Sequence, residues 1–345
     1  MDTAALDRLA GERIDWRHKG FPAWAEGLTI GELVARRAPV SSFMTPLMTI
    51  DAAALENNLQ TMARYCAEHG VDLAPHAKTT MSPQLIARQL AAGAWGVTAA
   101  TIAHVRTYRA FGVPLILLAN ELVDPQALSW VAAELARDPG FRLICFADSV
   151  DGVRIMQRAL SEAGAARTVD VIIDVGWPGG RTGCRTLDEG LAVADAIAAS
   201  DRLRLVGAGG FEGALAHDRS DDGLATVRAY LHSVRSLIET LDRRGRFEGT
   251  DEVIATAGGS AYFDDVVEIL GRGWSLSRPV RTVLRSGAYI THDDGHYRAL
   301  TPLTSFRPAL RIRGRVLSLP EPGLALLDFG KRDAPIDLDL PEPLT

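Results

Sequence analysis

From about Thr45 onward the chain alternates short apolar runs with longer stretches whose apolar positions recur at helical spacing. The short runs at 47–51, 71–75, 95–99, 115–119, 142–147, 169–174, 203–208 and 252–256 read as strands. Between them, residues 52–69, 83–92, 102–111 and 125–137 are rich in Ala, Leu, Arg and Glu and read as helices. Several of these open on a side chain that can accept from the free amides of a first turn. Examples are Asp51, Ser82 before Pro83, Asp124 before Pro125, and Asp148 with Ser149. Strand–helix alternation over such a length implies a parallel sheet with right-handed crossovers. Eight or so units over roughly 230 residues suit a (β/α)8 barrel better than an open sheet, although spacing alone keeps both open.

The texture changes after about Arg278. Segments 281–284, 288–291, 309–317 and 325–329 read as strands separated by Gly, Pro and Asp turns, with no stretch of helical periodicity. The expected organisation is therefore an N-terminal extension over residues 1–44, with a short helix at 30–37, a barrel over 45–277, and a C-terminal β-rich domain over 278–345.

Bulk properties narrow the function classes. Of 345 residues, 47% are hydrophobic and 23% charged, an ordinary balance for a soluble globular chain. A formal charge of -6 leaves no electrostatic footprint for nucleic acid. The run 113–119 is far too short to span a bilayer, and the N-terminus lacks the basic start and apolar core of a secretory signal. Cys66, Cys145 and Cys184 are odd in number and show no metal or redox spacing, which suits reduced thiols in a cytoplasmic protein.

In a barrel the chemistry is placed where strands end at their C-terminal side. Lys78 follows the 71–75 run in a chain whose only other lysines are Lys19 and Lys331. Amine chemistry needs Lys rather than Arg, so a Schiff-base lysine and an ion-paired strand-end lysine are the two readings of Lys78. Gly258-Gly259-Ser260, opening the next helix, could cradle a phosphate or simply turn and cap. Arg181, within Gly179-Gly180-Arg181-Thr182-Gly183, could face a ring or carboxylate or lie in solvent. Glu212 in Phe211-Glu212-Gly213 could be a site carboxylate or an exposed loop residue. The cluster His292-Asp293-Asp294-Gly295-His296 reads as a turn ahead of a metal site, because so many ligands in one tight turn cannot converge.

Several motifs occur in order: Thr45-Pro46-Leu47 with Asp51, Pro75-His76-Ala77-Lys78-Thr79, Leu118-Ala119-Asn120-Glu121, Asp174-Val175-Gly176, Arg181-Thr182-Gly183, Gly258-Gly259-Ser260 and Leu284-Arg285-Ser286-Gly287-Ala288-Tyr289. From about residue 45 onward the series resembles the D-serine dehydratase and D-threonine aldolase family of the alanine racemase fold. The resemblance implies pyridoxal 5'-phosphate carried on Lys78, with His76 of the same element among the cofactor-binding residues. It further implies Arg181 beside the pyridine ring, Gly258, Gly259 and Ser260 at the phosphate, Tyr289 near the cofactor in a catalytic role, and a homodimer with shared active sites.

The expected activity is that of an ammonia-lyase, the dehydration of a small D-amino acid such as D-serine to a keto acid and ammonia. Aldol cleavage of the D-threonine type, or cofactor binding without turnover, are the alternatives. The family's zinc-like metal is held by a His and a Cys or Asp from a short C-terminal motif. No such motif precedes Thr345, so no metal ligand is assigned and the β-rich domain is expected to be incomplete. Two further departures are Thr80-Met81, where the family often has His-Lys, and Ala214, where its Tyr-Glu-Gly-His element carries an imidazole.

Overall fold

A computed structural model of the chain describes residues 1–335, 340, 341, 343 and 344. Strand β1 (Leu47–Ile50) precedes β2 (Asp72–Leu73), β3 (Val97–Ala99), β4 (Leu115–Glu121), β5 (Arg142–Ala147), β6 (Val169–Val175), β7 (Leu203–Gly210), β8 (Val253–Ala257) and β9 (Val280–Leu284). Strands β2 to β9 form one eight-stranded parallel sheet in the order β2-β9-β8-β7-β6-β5-β4-β3. Its edges meet through a parallel bridge between His76 and Thr98, reinforced by Thr98 N–H donating to Pro75 O at 2.9 Å. The (β/α)8 barrel is thereby closed, and its axis is filled by Ala74, Leu117, Ile144, Phe146, Ile172, Val206, Ile254 and Val283, all buried.

The helices between strands start where the capping residues stand. Ser82 accepts from Leu85 N–H, Asp124 from Ala127 N–H, and Ser149 from Gly152 N–H. Helix Ala52–His69 begins after Asp51, whose carboxylate takes the amides of Ala53 and Ala54 at 2.9 Å each.

Two expected strands exchange places. Residues 47–51 do not supply a barrel strand. Leu47–Ile50 pairs antiparallel with β10 (Leu310–Arg313), and its alternating half-burial is that of a strand with one solvated face. The eighth barrel strand is β9, drawn from the segment read as β-rich. Segment 281–284 is a strand as expected, but its partners are barrel strands: Arg281 sits at the barrel's N-terminal rim, bonded to Glu252 and Asp72, while Val283 and Leu284 are fully buried. Segment 288–291 is also not a strand, since Ala288–Ile290 forms a 3-10 turn with Tyr289 buried.

The chain divides into two compact units. One holds Gln60–Tyr289 with Met1 and Leu300–Leu303, and the other holds Asp2–Leu59, Ile290–Ala299 and the chain from Thr304 onward. The second contains the β1–β10 pair and a hairpin of β11 (Val316–Glu321) and β12 (Leu324–Leu327). It also contains a small core of Ile14, Ala25 and Leu33. Within it the buried Asn58 amide donates to the carbonyls of Ile290 and Arg307 and accepts from Arg307 N–H. The His292–His296 cluster opens the short helix His296–Leu300, with Asp293 accepting from the amides of Gly295 and Tyr297. The expected incompleteness of the β-rich domain at Thr345 falls on a residue outside those described.

Candidate active site

The C-terminal mouth of the barrel holds a cavity of about 280 Å³. Every strand end contributes locally. His76 and Lys78 follow β2, Asn120 lies near the end of β4, and Asp174 lies in β6, followed by Trp177 and Arg181 in the next loop. Phe211 follows β7, Gly258 and Gly259 follow β8, and Arg285 follows β9.

Lys78 stands on the 3-10 turn Ala77–Thr79 and reaches solvent within the cavity. Among the described residues no hydrogen bond or ion pair engages its amine. Partial burial, then the charges of Arg181 and Arg285, hold it below the usual lysine range. A lysine so placed has more of its amine neutral and nucleophilic. His76, two residues earlier, is pushed down to about 3 by burial, then by Lys78 and Arg285, so its imidazole is neutral. Its Nδ1 is buried with no partner among the described residues, an open hydrogen-bonding position that a ligand could fill.

Arg181 lies 5.0 Å over the ring of Phe211, on the loop after β6. Arg185 shapes that loop by donating to the carbonyls of Thr182 at 2.7 Å, Gly183 at 2.6 Å and Gly180 at 3.1 Å. Gly183 has φ +101°, and a Cβ there would lie 2.3 Å from Gly176 N, so only glycine lets the loop close on itself. In the loop after β8, Gly258 and Gly259 donate their amides to the Glu212 carboxylate at 3.0 and 2.5 Å. The helix starts only at Phe263, later than expected, so Ser260 does not cap it and instead accepts from Ala288 N–H at 3.2 Å.

Of the residues singled out from sequence, His76, Lys78, Arg181, Gly258 and Gly259 converge on this cavity. Ser260 and Tyr289 are not among its lining residues. Tyr289 is buried with its hydroxyl accepting from Gln89 at 2.9 Å. Two residues not singled out, Arg285 and Asp174, line the cavity, and Glu121 pairs with Asp174 behind it. Arg285, 6% exposed, donates to the Thr256 hydroxyl at 2.7 Å and to Gly210 O, and lies under the cavity. Once β9 is placed in the barrel, Arg285 falls at a strand end, where sequence logic would have looked. Asp174 and Glu121, from β6 and β4, form a close carboxylate pair. Burial raises both above the carboxylate range, helped at Glu121 by the Asp174 charge and at Asp174 by the Asp148 charge, so the pair holds a proton toward neutral pH.

The mouth of this eight-stranded barrel gathers an unengaged lysine, two arginines and a tight glycine loop, groups suited to an anionic, carbonyl-bearing ligand. The sequence model of the alanine racemase N-terminal domain matches residues 50–271, and the chain belongs to that family. It is 29% identical over 297 residues to a D-threonine aldolase of Arthrobacter sp, covering 85% of this chain and 73% of that protein. It is 32% identical over 153 residues to a D-threo-3-hydroxyaspartate dehydratase of Delftia sp. (strain HT23), covering 44% of this chain and 38% of that protein. The crystal structure of D-threonine aldolase from Filomicrobium marinum superposes with TM-score 0.73 at 27% identity, covering 88% of this chain and 77% of that one.

Enzymes of this fold that act as lyases on D-amino acids use pyridoxal phosphate, and the cavity residues fit that cofactor. Lys78 offers the free amine, Arg181 and Arg285 offer positive charge, and His76 Nδ1 offers an unfilled polar contact. Among the described residues no group of three or more His, Cys, Asp or Glu side chains is placed to hold a metal ion.

Proposed function

We propose that this chain is a pyridoxal-phosphate-dependent lyase of small β-hydroxy D-amino acids, with Lys78 as the cofactor's attachment. The observation that carries this reading is Lys78 at the barrel mouth, unengaged among the described residues and held below the usual lysine range, beside Arg181 and Arg285. When bound, the cofactor supplies an electron sink for charge developing at the substrate's α-carbon.

The protein's own residues supply the rest. Lys78, once released, is placed to hold or move the proton at that carbon. Arg181 and Arg285 set a positive field that favours the substrate carboxylate and the cofactor phosphate. Neutral His76 offers Nδ1 to a hydroxyl. The Glu121–Asp174 pair keeps a proton on the opposite wall.

Cleavage of the Cα–Cβ bond is the favoured outcome, because the relatives matched over most of the chain are named as aldolases. Dehydration of the D-serine type, expected from sequence, is the second reading. It is supported by the dehydratase likeness and by the proton held at Glu121–Asp174, which could be given to a departing hydroxyl. A cytoplasmic homodimer belongs to this reading. It rests on the family resemblance and, for the compartment, on the three buried free thiols.

Product analysis separates the outcomes. Glycine with an aldehyde from D-threonine supports aldol cleavage, and pyruvate with ammonia from D-serine supports dehydration. Cofactor bound without either product sinks the lyase reading and leaves a carrier.

A further inference from the structure

Glu212 follows β7 on the 3-10 turn Glu212–Ala214 and is completely buried. A buried carboxylate needs compensating donors, and it finds them in the amides of Gly258 and Gly259. The Arg285 charge acts on the same group. On the opposite edge of that loop, the Ser286 hydroxyl lies 3.0 Å from the carbonyls of both Gly258 and Gly259. The loop is thus pinned on both sides, with Gly258 at φ +97°. Its first two amides are already taken by an anion. A phosphate cannot share them without setting two anions against one pair of donors. The next amides, those of Ser260 and Ala261, donate to no acceptor among the described residues, and they lie just ahead of helix Phe263–Leu270.

We propose that Glu212 is a positioning residue for the phosphate end of the cofactor. It occupies the amides of Gly258 and Gly259, fixes the path of the loop and leaves the amides of Ser260 and Ala261, which directly follow the cavity-lining Gly259, to receive the phosphate. This rests on the pyridoxal-phosphate reading above.

The test compares pyridoxal phosphate with unphosphorylated pyridoxal, titrated by visible absorbance against wild type, Glu212→Ala and Glu212→Gln. Wild type is expected to prefer the phosphorylated form. Glu212→Ala is expected to bind pyridoxal phosphate about tenfold to a hundredfold more weakly, with pyridoxal changed less than about threefold. Glu212→Gln, which keeps the shape but turns a donor toward one amide, is expected to lose about three- to tenfold for the phosphorylated form alone. It serves as the readout if the alanine variant fails to fold.

Equal weakening of both ligands would mean a merely structural role and overturn the proposal. Tighter binding of pyridoxal phosphate by Glu212→Ala would show that Glu212 only stands in for the phosphate, and would overturn it too. A wild type that binds neither ligand, or shows no preference between them, would instead sink the cofactor reading itself.

Discussion

The two ends of the barrel are built from the same strands and obey opposite rules. At the N-terminal end, Asp170 is 3% exposed and accepts from Arg142 and Arg204 at 2.7 Å each. Arg281 bonds Glu252 at 2.8 Å and also Asp72, and Arg142 lies 3.5 Å from Glu252. The guanidiniums of Arg142 and Arg281 lie over the Trp95 ring at 6.0 and 5.4 Å. Each of these carboxylates has an arginine partner. At the C-terminal end, among the described residues, His76 Nδ1 and Glu121 Oε1 are buried without partners, Lys78 is unengaged, and two carboxylates lie close together. Buried polar groups are normally satisfied. Where one end of a fold satisfies them and the other does not, the unsatisfied end is the one shaped for a ligand.

The contrast can be broken from either side. The largest effect on stability belongs to the satisfied end. Asp170→Ala strips a buried acceptor from two arginines and is expected to cost about 3 kcal/mol, discounted for the partial exposure of both. Denaturant unfolding measures that loss, while the cofactor titration should hardly move. Arg181→Ala does the reverse, lowering kcat/KM about a hundredfold with little change in melting temperature. A matching loss of stability would make Arg181 structural rather than functional.

The smallest effect is one of pH. Burial, then the neighbouring Asp174, raises Glu121 above its ordinary 4.5. Its contribution to stability is therefore fully present below that value and is lost as pH rises toward neutrality. Glu121→Gln should flatten this part of the stability profile, and an unchanged slope would remove the carboxylate pair from the account.

Most of the helices and barrel strands could be read from sequence because their signals are local. Helix Pro125–Arg137 matches the expected bounds, with Asp124 capping it as its position suggested. The exchange of β1 for β9 could not be read in this way. Both are short apolar runs, and only pairing partners far along the chain decide which enters the barrel. The exchange reaches the site, since Arg285 follows β9 and only the place of β9 in the barrel brings it to the cavity. An exposed loop residue is one of the two sequence readings of Glu212, yet it is fully buried, because the amides that satisfy its carboxylate lie 46 and 47 residues away. Scarcity of lysine singled out Lys78 without any long-range knowledge, which is why it could be named early.

The central claim is that Lys78 carries the cofactor. Incubation with pyridoxal phosphate, reduction with borohydride, digestion and mass spectrometry would fix the attachment point. The account predicts a single phosphopyridoxyl adduct on the peptide containing Lys78, lost together with the visible absorbance in Lys78→Ala. An adduct on Lys19 or Lys331, or absorbance that survives the substitution intact, would contradict it.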